Sequence, residues 1–335
     1  MDKDRIVVIC PGRGAYTRDT AGYLNVCNNT MKEHIEWMDR KREEAGLPTL
    51  SLLDASPFKT KIHMNGEHAS SLIYACSLSD FFSIDQKKYE IVAITGNSMG
   101  WYVALALGGA LNLKNGYHLI QTMGSTMDNE SIGGQIIYPI IDENWNIKES
   151  IKEMILNEKG SYLSILLGGY IVVGGEQKVL DLLLKKLPKK DIYPLQLPFH
   201  AAFHTPLMED VSNKIMRKIP HSIFHKPSIP LIDGVGKIWS PFSTEAVDLH
   251  KYTLGYQVKN HYDFTSAIKV AIKEFCPDKL VLLGPGNSLG GPTGQIIIQE
   301  NWCDVNSKSA FLDLQKSNPY LISMGLKDQR KIVSK

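Results

Sequence analysis

The alternation of apolar runs and amphipathic stretches predicts an α/β chain. Short, mainly apolar runs at 5–10, 90–95 and 279–283 are typical of strands buried on both faces of a parallel sheet. The first two runs lead directly into glycine turns at 11–14 and 96–100. After the second turn the apolar residues continue at helical spacing, which predicts a strand, a sharp turn and a helix in sequence.

The middle of the chain has a pattern of its own. Between residues 135 and 197 the expected elements come in the order strand, helix, strand, strand, helix, strand, which is the signature of a ferredoxin-like unit. We therefore expect a parallel-sheet α/β core formed by residues 1–129 and 199–310, interrupted by an inserted ferredoxin-like α+β subdomain at 130–198. Residues 311–335 are expected to form a C-terminal tail.

The composition narrows the class of protein. The 335 residues carry 37 Lys and Arg against 35 Asp and Glu, so no basic field points to nucleic acid. No apolar run reaches the ~18 residues of a transmembrane helix, and the first residues lack the apolar core of a secretory signal. Five scattered cysteines without a C-x-x-C pair favour a reduced, cytoplasmic protein. Neither a metal site nor a bound nucleotide is expected, because ligand spacing and a G-x-G-x-x-G unit are both missing from the sequence.

The turn Gly96-Asn97-Ser98-Met99-Gly100 fits the nucleophile pattern G-x-S-x-G. In this pattern a sharp turn pushes the central serine out above the end of the sheet, and the N-terminus of the following helix offers N–H groups to a developing oxyanion. The pattern also arises by chance. Ser98 is therefore equally compatible with a plain turn in which the serine caps the helix.

A second match, from Gly286 to Gly290, places Ser288 after another expected strand. Two features disfavour it as a nucleophile. The glycines and proline at 291–294 make a poor helix start, and no histidine follows position 288. We expect a structural glycine turn there, at the edge of the same cleft.

A serine nucleophile needs a base, because its hydroxyl reacts poorly at neutral pH. Among the histidines after Ser98, His204 lies where the insert returns to the core, and a cleft is expected at such a boundary. A histidine that merely packs or caps a helix is as compatible with this spacing. An unrelated α/β-hydrolase esterase would instead need a carboxylate to align the histidine, for which Asp210 and Asp233 are the candidates.

Four segments together resemble the malonyl-CoA:acyl-carrier-protein transacylase family, which includes the acyltransferase domains of polyketide and fatty-acid synthases. Residues 10–14 are similar to the family's F-P-G-Q-G, 96–100 to its G-H-S-L-G, 202–208 to its A-F-H-S-P-L-M and 284–286 to its G-P-G. The segments occur in the family's order. The resemblance implies a hydrolase-like α/β core with a ferredoxin-like insert, as the pattern of elements predicts.

The resemblance also implies roles for the matching residues. Ser98 would accept the acyl group from coenzyme A, and His204 would act as general base and then as general acid for the leaving thiol. The backbone N–H groups of Arg13 and Met99 would hold the oxyanion.

The family aligns this histidine through a backbone carbonyl at a glutamine rather than through a carboxylate. Counting back seven residues from Phe264 places that glutamine at Gln257, with Asn260 three residues later, as the family has it. The resemblance therefore adds Gln257 to the catalytic residues and Asn260 to the residues around the substrate.

One departure from the family changes the expected substrate. Malonyl-specific members carry an arginine 25 residues after the serine, which binds the malonyl carboxylate, whereas this chain has Met123 there. A guanidinium offers a carboxylate two parallel charge-assisted bonds, and a thioether offers none. We therefore expect an uncharged acyl group, such as acetyl, propionyl or a longer chain.

The sequence thus predicts an enzyme, an acyl-CoA:acyl-carrier-protein S-acyltransferase of polyketide or fatty-acid biosynthesis that works through an acyl-serine. It would use acyl-CoA as substrate and an acyl carrier protein as partner, with no bound cofactor and no nucleic acid or membrane partner. Two alternatives stay open. The same site would be an acyl hydrolase that clears carrier proteins if water enters, and the altered motif positions are compatible with a catalytically weak docking module.

Overall fold

The computed structural model describes residues 2–26, 29–129 and 132–335. Cys27, and residue 130 where the insert is expected to begin, lie outside the described residues. Within these ranges the chain forms two β-sheets with helices packed around them. None of the helices described is long and apolar enough to cross a membrane.

The elements of the described residues are as follows. The strands are β1 (Asp4–Cys10), β2 (Tyr89–Gly96), β3 (Gly134–Pro139), β4 (Ser161–Leu167), β5 (Tyr170–Gly175), β6 (Leu195–Gln196), β7 (Leu231–Ile232), β8 (Ile238–Trp239), β9 (Tyr262–Asp263), β10 (Lys279–Leu282) and β11 (Leu321–Ser323). The helices are α1 (Asn29–Glu44), α2 (Leu50–Ala55), α3 (Thr60–His63), α4 (Gly66–Ser83), α5 (Gly100–Leu107), α6 (Leu113–Asn129), α7 (Glu149–Leu156), α8 (Gln177–Lys186), α9 (Glu209–Lys218), α10 (Ala246–His250), α11 (Gln257–Lys259), α12 (Phe264–Phe275), α13 (Gly290–Gln299), α14 (Lys308–Ser317) and α15 (Lys327–Val333). A π-helical segment, Lys251–Tyr256, joins α10 to α11.

A six-stranded sheet forms the core, in the order β11-β10-β1-β2-β7-β8. Neighbouring strands are parallel except for β7 and β8. The apolar side chains of β1 from Ile6 to Cys10 are fully buried, as expected for a parallel strand covered on both faces. Because Cys10 lies opposite Gly96 in the register of β1 and β2, the turns that follow these strands meet at one edge of the sheet. The predicted α/β core is confirmed.

The insert is the ferredoxin-like unit that the sequence predicts. Its elements run β3, α7, β4, β5, α8, β6, and its strands lie in the order β6-β3-β5-β4 with antiparallel neighbours. The sheet and its helices bury a second apolar cluster that includes Ile155, Val173 and Leu180. The insert therefore has a core of its own beside that of the main sheet.

The sheet of the insert extends beyond the insert. Strand β9 lies parallel to β4, with Ile165 opposite Tyr262 and Leu166 opposite Asp263, and this makes a sheet of five strands. A strand of two residues has no periodic pattern, so the sequence does not predict it. The pairing attaches the insert to the segment of the core that follows α11.

Residues 311–335, expected as a C-terminal tail, are built into the core. Strand β11 adds a parallel edge strand to β10, and α15 brings Arg330 Nη2 within 2.5 Å of Asp80 Oδ1. The buried Asp80 carboxylate also accepts the Tyr23 hydroxyl at 2.8 Å and the Gly284 N–H at 2.7 Å. This ion pair joins residues 250 positions apart, which no local pattern in the sequence can indicate.

Arg330→Ala should lower the free energy of unfolding by about 3 kcal/mol, because it leaves a buried carboxylate without its cation. Burial raises the pKa of Asp80 to about 6, and loss of the guanidinium should raise that pKa further. The folded variant then holds a proton on Asp80 that the unfolded chain, with an ordinary pKa of about 4, does not bind. The loss of stability should therefore be larger at about pH 8 than at about pH 6, as measured by urea unfolding.

Lys331→Ala is the matched control for this prediction. Lys331 pairs with Asp328 on the surface, where the two side chains are 77% and 98% exposed. Its removal should change the free energy of unfolding by less than about 1 kcal/mol. Equal losses for the two variants would contradict the structural role of the C-terminal segment.

Candidate active site

Ser98 lies at the turn between β2 and α5, in a backbone conformation that serine rarely adopts. Its φ is +55°, in the left-handed region. Glycines make the turn possible, because a Cβ at Gly96 would lie 2.4 Å from the Gly100 carbonyl and a Cβ at Gly100 would lie 2.3 Å from the Cys10 carbonyl oxygen. The turn therefore places Ser98 at the carboxyl end of β2, beside the loop that follows β1.

His204 approaches Ser98 from the loop that leads back from the insert. Its Nε2 lies 2.7 Å from Ser98 Oγ, and its backbone N–H donates to the Val258 carbonyl at 3.1 Å. The residue is buried and, like Ser98, has a left-handed backbone, with φ of +57°. The structure thus brings together the serine and the histidine that the sequence singled out.

Gln257 completes a hydrogen-bonded chain with these two residues. Its carbonyl oxygen lies 2.7 Å from His204 Nδ1. Because a carbonyl can only accept, Nδ1 carries the proton, and Nε2 is left to accept the Ser98 hydroxyl. The Gln257 side chain donates back to the Ser98 carbonyl at 3.1 Å. A backbone carbonyl thus occupies the place that a carboxylate takes in a Ser-His-Asp site.

The candidate carboxylates for an esterase lie elsewhere. Asp233 accepts the Trp239 indole N–H at 2.8 Å and the N–H groups of Val235 and Lys237, and so closes the turn between β7 and β8. Asp210 lies in the first turn of α9. Among the described residues, the ring nitrogens of His204 pair with Ser98 and Gln257 rather than with a carboxylate. Neither candidate carboxylate aligns His204, as the esterase alternative requires.

The turn after β1 packs against the turn that carries Ser98. The Asn97 N–H donates to the Cys10 carbonyl at 3.0 Å, and a Cβ at Gly12 would lie 2.7 Å from the Asn97 carbonyl oxygen. This close approach brings Arg13 to the pocket wall beside Ser98, and Met99 lines the same pocket at the N-terminus of α5. Their positions are compatible with the oxyanion role that the resemblance implies.

The pocket in front of Ser98 is small and largely apolar. It encloses about 430 Å³, including its open mouth. Its lining residues are Arg13, Ser70, Ser98, Met99, Tyr102, Met123, Gly124, Phe203, His204 and Val258. Met123 is thus one of the residues that face the space in front of Ser98. Asn260 lies outside this lining, and its side chain donates to the Tyr256 carbonyl at 2.9 Å.

A larger pocket lies between the core and the sheet of the insert. It encloses about 1030 Å³, including open space, and shares Arg13, Ser98 and Phe203 with the first pocket. The insert lines it with aliphatic side chains: Ile137, Ile165, Leu167, Val172, Leu195 and Leu197. The two pockets meet at the Ser98 hydroxyl. This arrangement suits a substrate whose reacting bond joins two different groups, one for each pocket.

Several side chains of the site carry no signal in the sequence. Ser70 and Tyr102 come from α4 and α5, and the side chain of Arg13 joins the turn after β1 to the loop behind the insert. Its guanidinium donates to the Phe199 carbonyl at 2.5 Å and lies 5.2 Å from the centre of the Phe203 ring. None of these side chains contributes its chemistry to a recognisable sequence motif. They reach the pocket because segments that are distant in the sequence pack together there.

Ser288, the serine of the second G-x-S-x-G match, lines the larger pocket. Contrary to expectation, α13 begins at Gly290, directly after this turn. Pro292 is tolerated because it falls in the first helical turn, where a missing N–H breaks no intrahelical bond. The described histidines of the cleft have other partners, His204 with Ser98 and His200 with Gln135, so neither of them pairs with Ser288.

A fluorophosphonate probe should label Ser98 at a rate that stays level from about pH 8 down to about pH 5.5. Burial lowers the pKa of His204 to about 4, against the opposing effect of the Gln257 carbonyl. His204 therefore remains neutral, and able to accept the serine proton, below the ordinary histidine pKa of about 6.5. Intact-mass measurement of labelling against pH checks this.

Two variants control the labelling. Ser98→Ala should abolish it, and Ser288→Ala, at the matching position of the second glycine turn, should leave it in place. A midpoint near pH 6.5 in the rate profile would contradict a buried, neutral base, and labelling that depends on Ser288 would contradict the choice of nucleophile.

Known proteins resemble this chain in sequence over most of its length, although no model of a protein family matches it. The non-reducing polyketide synthase nscA of Arthroderma otae is 24% identical over 283 residues, which cover 79% of this chain but only 15% of the synthase. The polyketide biosynthesis malonyl CoA-acyl carrier protein transacylase PksC of Bacillus subtilis is 23% identical over 288 residues, 85% of this chain and 95% of the transacylase.

The structural comparison agrees with the sequence comparison. The malonyl-CoA:ACP transacylase of Synechocystis superimposes with a TM-score of 0.76 at 16% identity, covering 98% of this chain and 100% of that protein. An alignment of this extent includes both the core and the insert. The resemblance found in the four motifs is confirmed, and the chain has the fold of the malonyl-CoA:acyl-carrier-protein transacylases.

Proposed function

We propose that this protein is an acyltransferase that carries an acyl group from coenzyme A to the phosphopantetheine thiol of an acyl carrier protein, through an acyl-Ser98 intermediate. The observation that carries the proposal is the hydrogen-bonded chain from Ser98 through His204 to the Gln257 carbonyl, placed where two pockets meet. The names of the relatives, transacylases and polyketide synthases, support the same reaction in polyketide or fatty-acid synthesis.

In the first half-reaction Ser98 Oγ attacks the thioester carbonyl while His204 Nε2 takes the hydroxyl proton. The carbonyl oxygen becomes an oxyanion beside the N–H groups of Arg13 and Met99. When the C–S bond breaks, His204 returns the proton to the departing coenzyme A thiol. The products are acyl-Ser98 and free coenzyme A, and the histidine is neutral again.

The second half-reaction runs the same steps with the carrier thiol as nucleophile. His204 takes the thiol proton, the C–S bond forms, and the proton returns to Ser98 Oγ as the ester breaks. No other cofactor is needed, since acyl-CoA enters as a substrate. Water in place of the thiol would release the free acid, so the same intermediate serves the hydrolase alternative.

The lining of the small pocket supports an uncharged acyl group. Met123 is buried in this lining, and its thioether cannot pair with a carboxylate. A carboxylate placed against it would lose its hydration without gaining a partner there, at a cost of several kcal/mol. In the proposed arrangement the acyl group occupies the small pocket, and the larger pocket takes the pantetheine arm.

Acetyl-CoA or another uncharged acyl-CoA should add one acyl group to Ser98, and a carrier protein bearing phosphopantetheine should then remove it. Intact-mass spectrometry of both proteins measures the two steps. Acyl-carrier formation supports transfer, and free acid released at the same rate without carrier supports hydrolysis.

Ser98→Ala should lose this turnover, and Ser288→Ala should keep it. Turnover that persists unchanged in Ser98→Ala would contradict the proposed intermediate. Absence of any acyl adduct from all the thioesters would favour the docking module.

Met123→Arg should raise the use of malonyl-CoA relative to acetyl-CoA by roughly tenfold or more, the effect of a charge-assisted pair worth about 1.5–3 kcal/mol. The measurement is the ratio of the two rate constants for acylation of Ser98. Met123→Leu, which keeps the pocket apolar, should leave the ratio near its original value. An unchanged ratio in Met123→Arg would mean that position 123 does not face the acyl tail.

A further inference from the structure

Two residues that carry hydroxyl groups, Ser70 and Tyr102, line the small pocket beside Ser98. Ser70 on α4 is 3% exposed and Tyr102 on α5 is 5% exposed, and both line the pocket together with Ser98. Neither hydroxyl has a hydrogen-bond partner among the described residues. Neither oxygen is among the fully buried side-chain atoms that lack a partner, so both are accessible from the pocket, where a ligand or water supplies their hydrogen bonds.

Three other hydroxyls on α4 form hydrogen bonds within the protein. Ser71 donates to Gln121 Oε1 at 2.6 Å, Ser77 donates to the Gly284 carbonyl at 2.9 Å, and Tyr74 donates to the Leu113 carbonyl at 2.8 Å. Neighbouring segments therefore provide acceptors for these three hydroxyl groups. The hydroxyls of Ser70 and Tyr102, by contrast, form no hydrogen bond with the described residues, and both residues line the pocket.

The pocket offers these hydroxyls an uncharged setting. Burial raises the pKa of Tyr102 above its ordinary value, so its hydroxyl is a neutral hydrogen-bond donor. Arg13 also lines the pocket, but its guanidinium donates to the Phe199 carbonyl and lies over the Phe203 ring, at the boundary with the larger pocket. Met123 supplies no charge at the wall.

We propose that the acyl group carries an uncharged oxygen substituent, a hydroxyl or a keto group, which Ser70 and Tyr102 bind. The proposal rests on the acyl transfer proposed above and names the class of acyl group that the site selects. Pairing with the two hydroxyls would satisfy both protein groups, whereas an unsubstituted acyl chain would leave them without partners.

The test compares 3-hydroxybutyryl-CoA with butyryl-CoA, which has the same carbon chain, and with malonyl-CoA. The measured quantity is the second-order rate constant for acylation of Ser98, followed by intact mass. The hydroxylated thioester should react about tenfold faster than butyryl-CoA. Tyr102→Phe and Ser70→Ala should each lower this ratio, and the double variant should bring it close to one.

Tyr138→Phe is the matched control, because the Tyr138 hydroxyl donates to the Pro188 carbonyl within the insert. It should keep the ratio of the unmodified protein. Thermal melting identifies any variant that fails to fold, and Ser70→Ala then carries the test if Tyr102→Phe does not fold. Equal rates for the two butyryl thioesters, a ratio unaffected by both variants, or faster reaction with malonyl-CoA would each overturn the proposal.

These outcomes separate the inference from the function on which it rests. Acylation of Ser98 with no preference for the hydroxyl overturns the inference and leaves the transferase proposal standing. Absence of acylation by any of the three thioesters, with the protein folded, overturns both.

Discussion

The contact between the turns that follow β1 and β2 is the constraint on which the candidate site depends. The backbones of Gly100 and Cys10 approach so closely that a single added carbon would lie 2.3 Å from a carbonyl oxygen. This packing holds Ser98 in a left-handed conformation that is unfavourable by about 1–3 kcal/mol. The buried parallel strands beneath the turns supply the rigidity that maintains it. Arg13 and Met99 reach the pocket because of the same contact.

The site is assembled across the boundary between the core and the insert. Ser98 belongs to the core, His204 to the loop that returns from the insert, and Gln257 to α11, just ahead of the strand that pairs with β4. The hydrogen bonds of His204 to Ser98, Gln257 and Val258 fix its position relative to the serine. The burial that results keeps His204 neutral, because a charged imidazole would be poorly solvated there.

The distribution of polar groups around Ser98 says more about the acyl group that the pocket could hold than the net charge of the chain does. The chain is nearly neutral overall, and the buried thioether of Met123 lines the small pocket. Besides Ser98 and His204, the polar side chains of this pocket are the Arg13 guanidinium, turned toward the loop behind the insert, and the hydroxyls of Ser70 and Tyr102, which form no hydrogen bond with the described residues. In the proposed function, such a lining would discriminate between acyl groups by hydrogen bonding and shape rather than by charge pairing.

The sequence by itself determined the order of the elements and the ferredoxin-like insert, because strand periodicity and glycine turns are local properties. It made Ser98 and His204 candidates through their motif and position, and Gln257 entered only through the family resemblance. The sequence could not determine that residues 311–335 join the core, that β9 extends the second sheet, or that a helix starts at Gly290. Nor could it show Ser70, Tyr102 and the side chain of Arg13 at the pocket. These features arise from contacts between residues far apart in the chain, and only the packing of the folded backbone decides which of those residues meet.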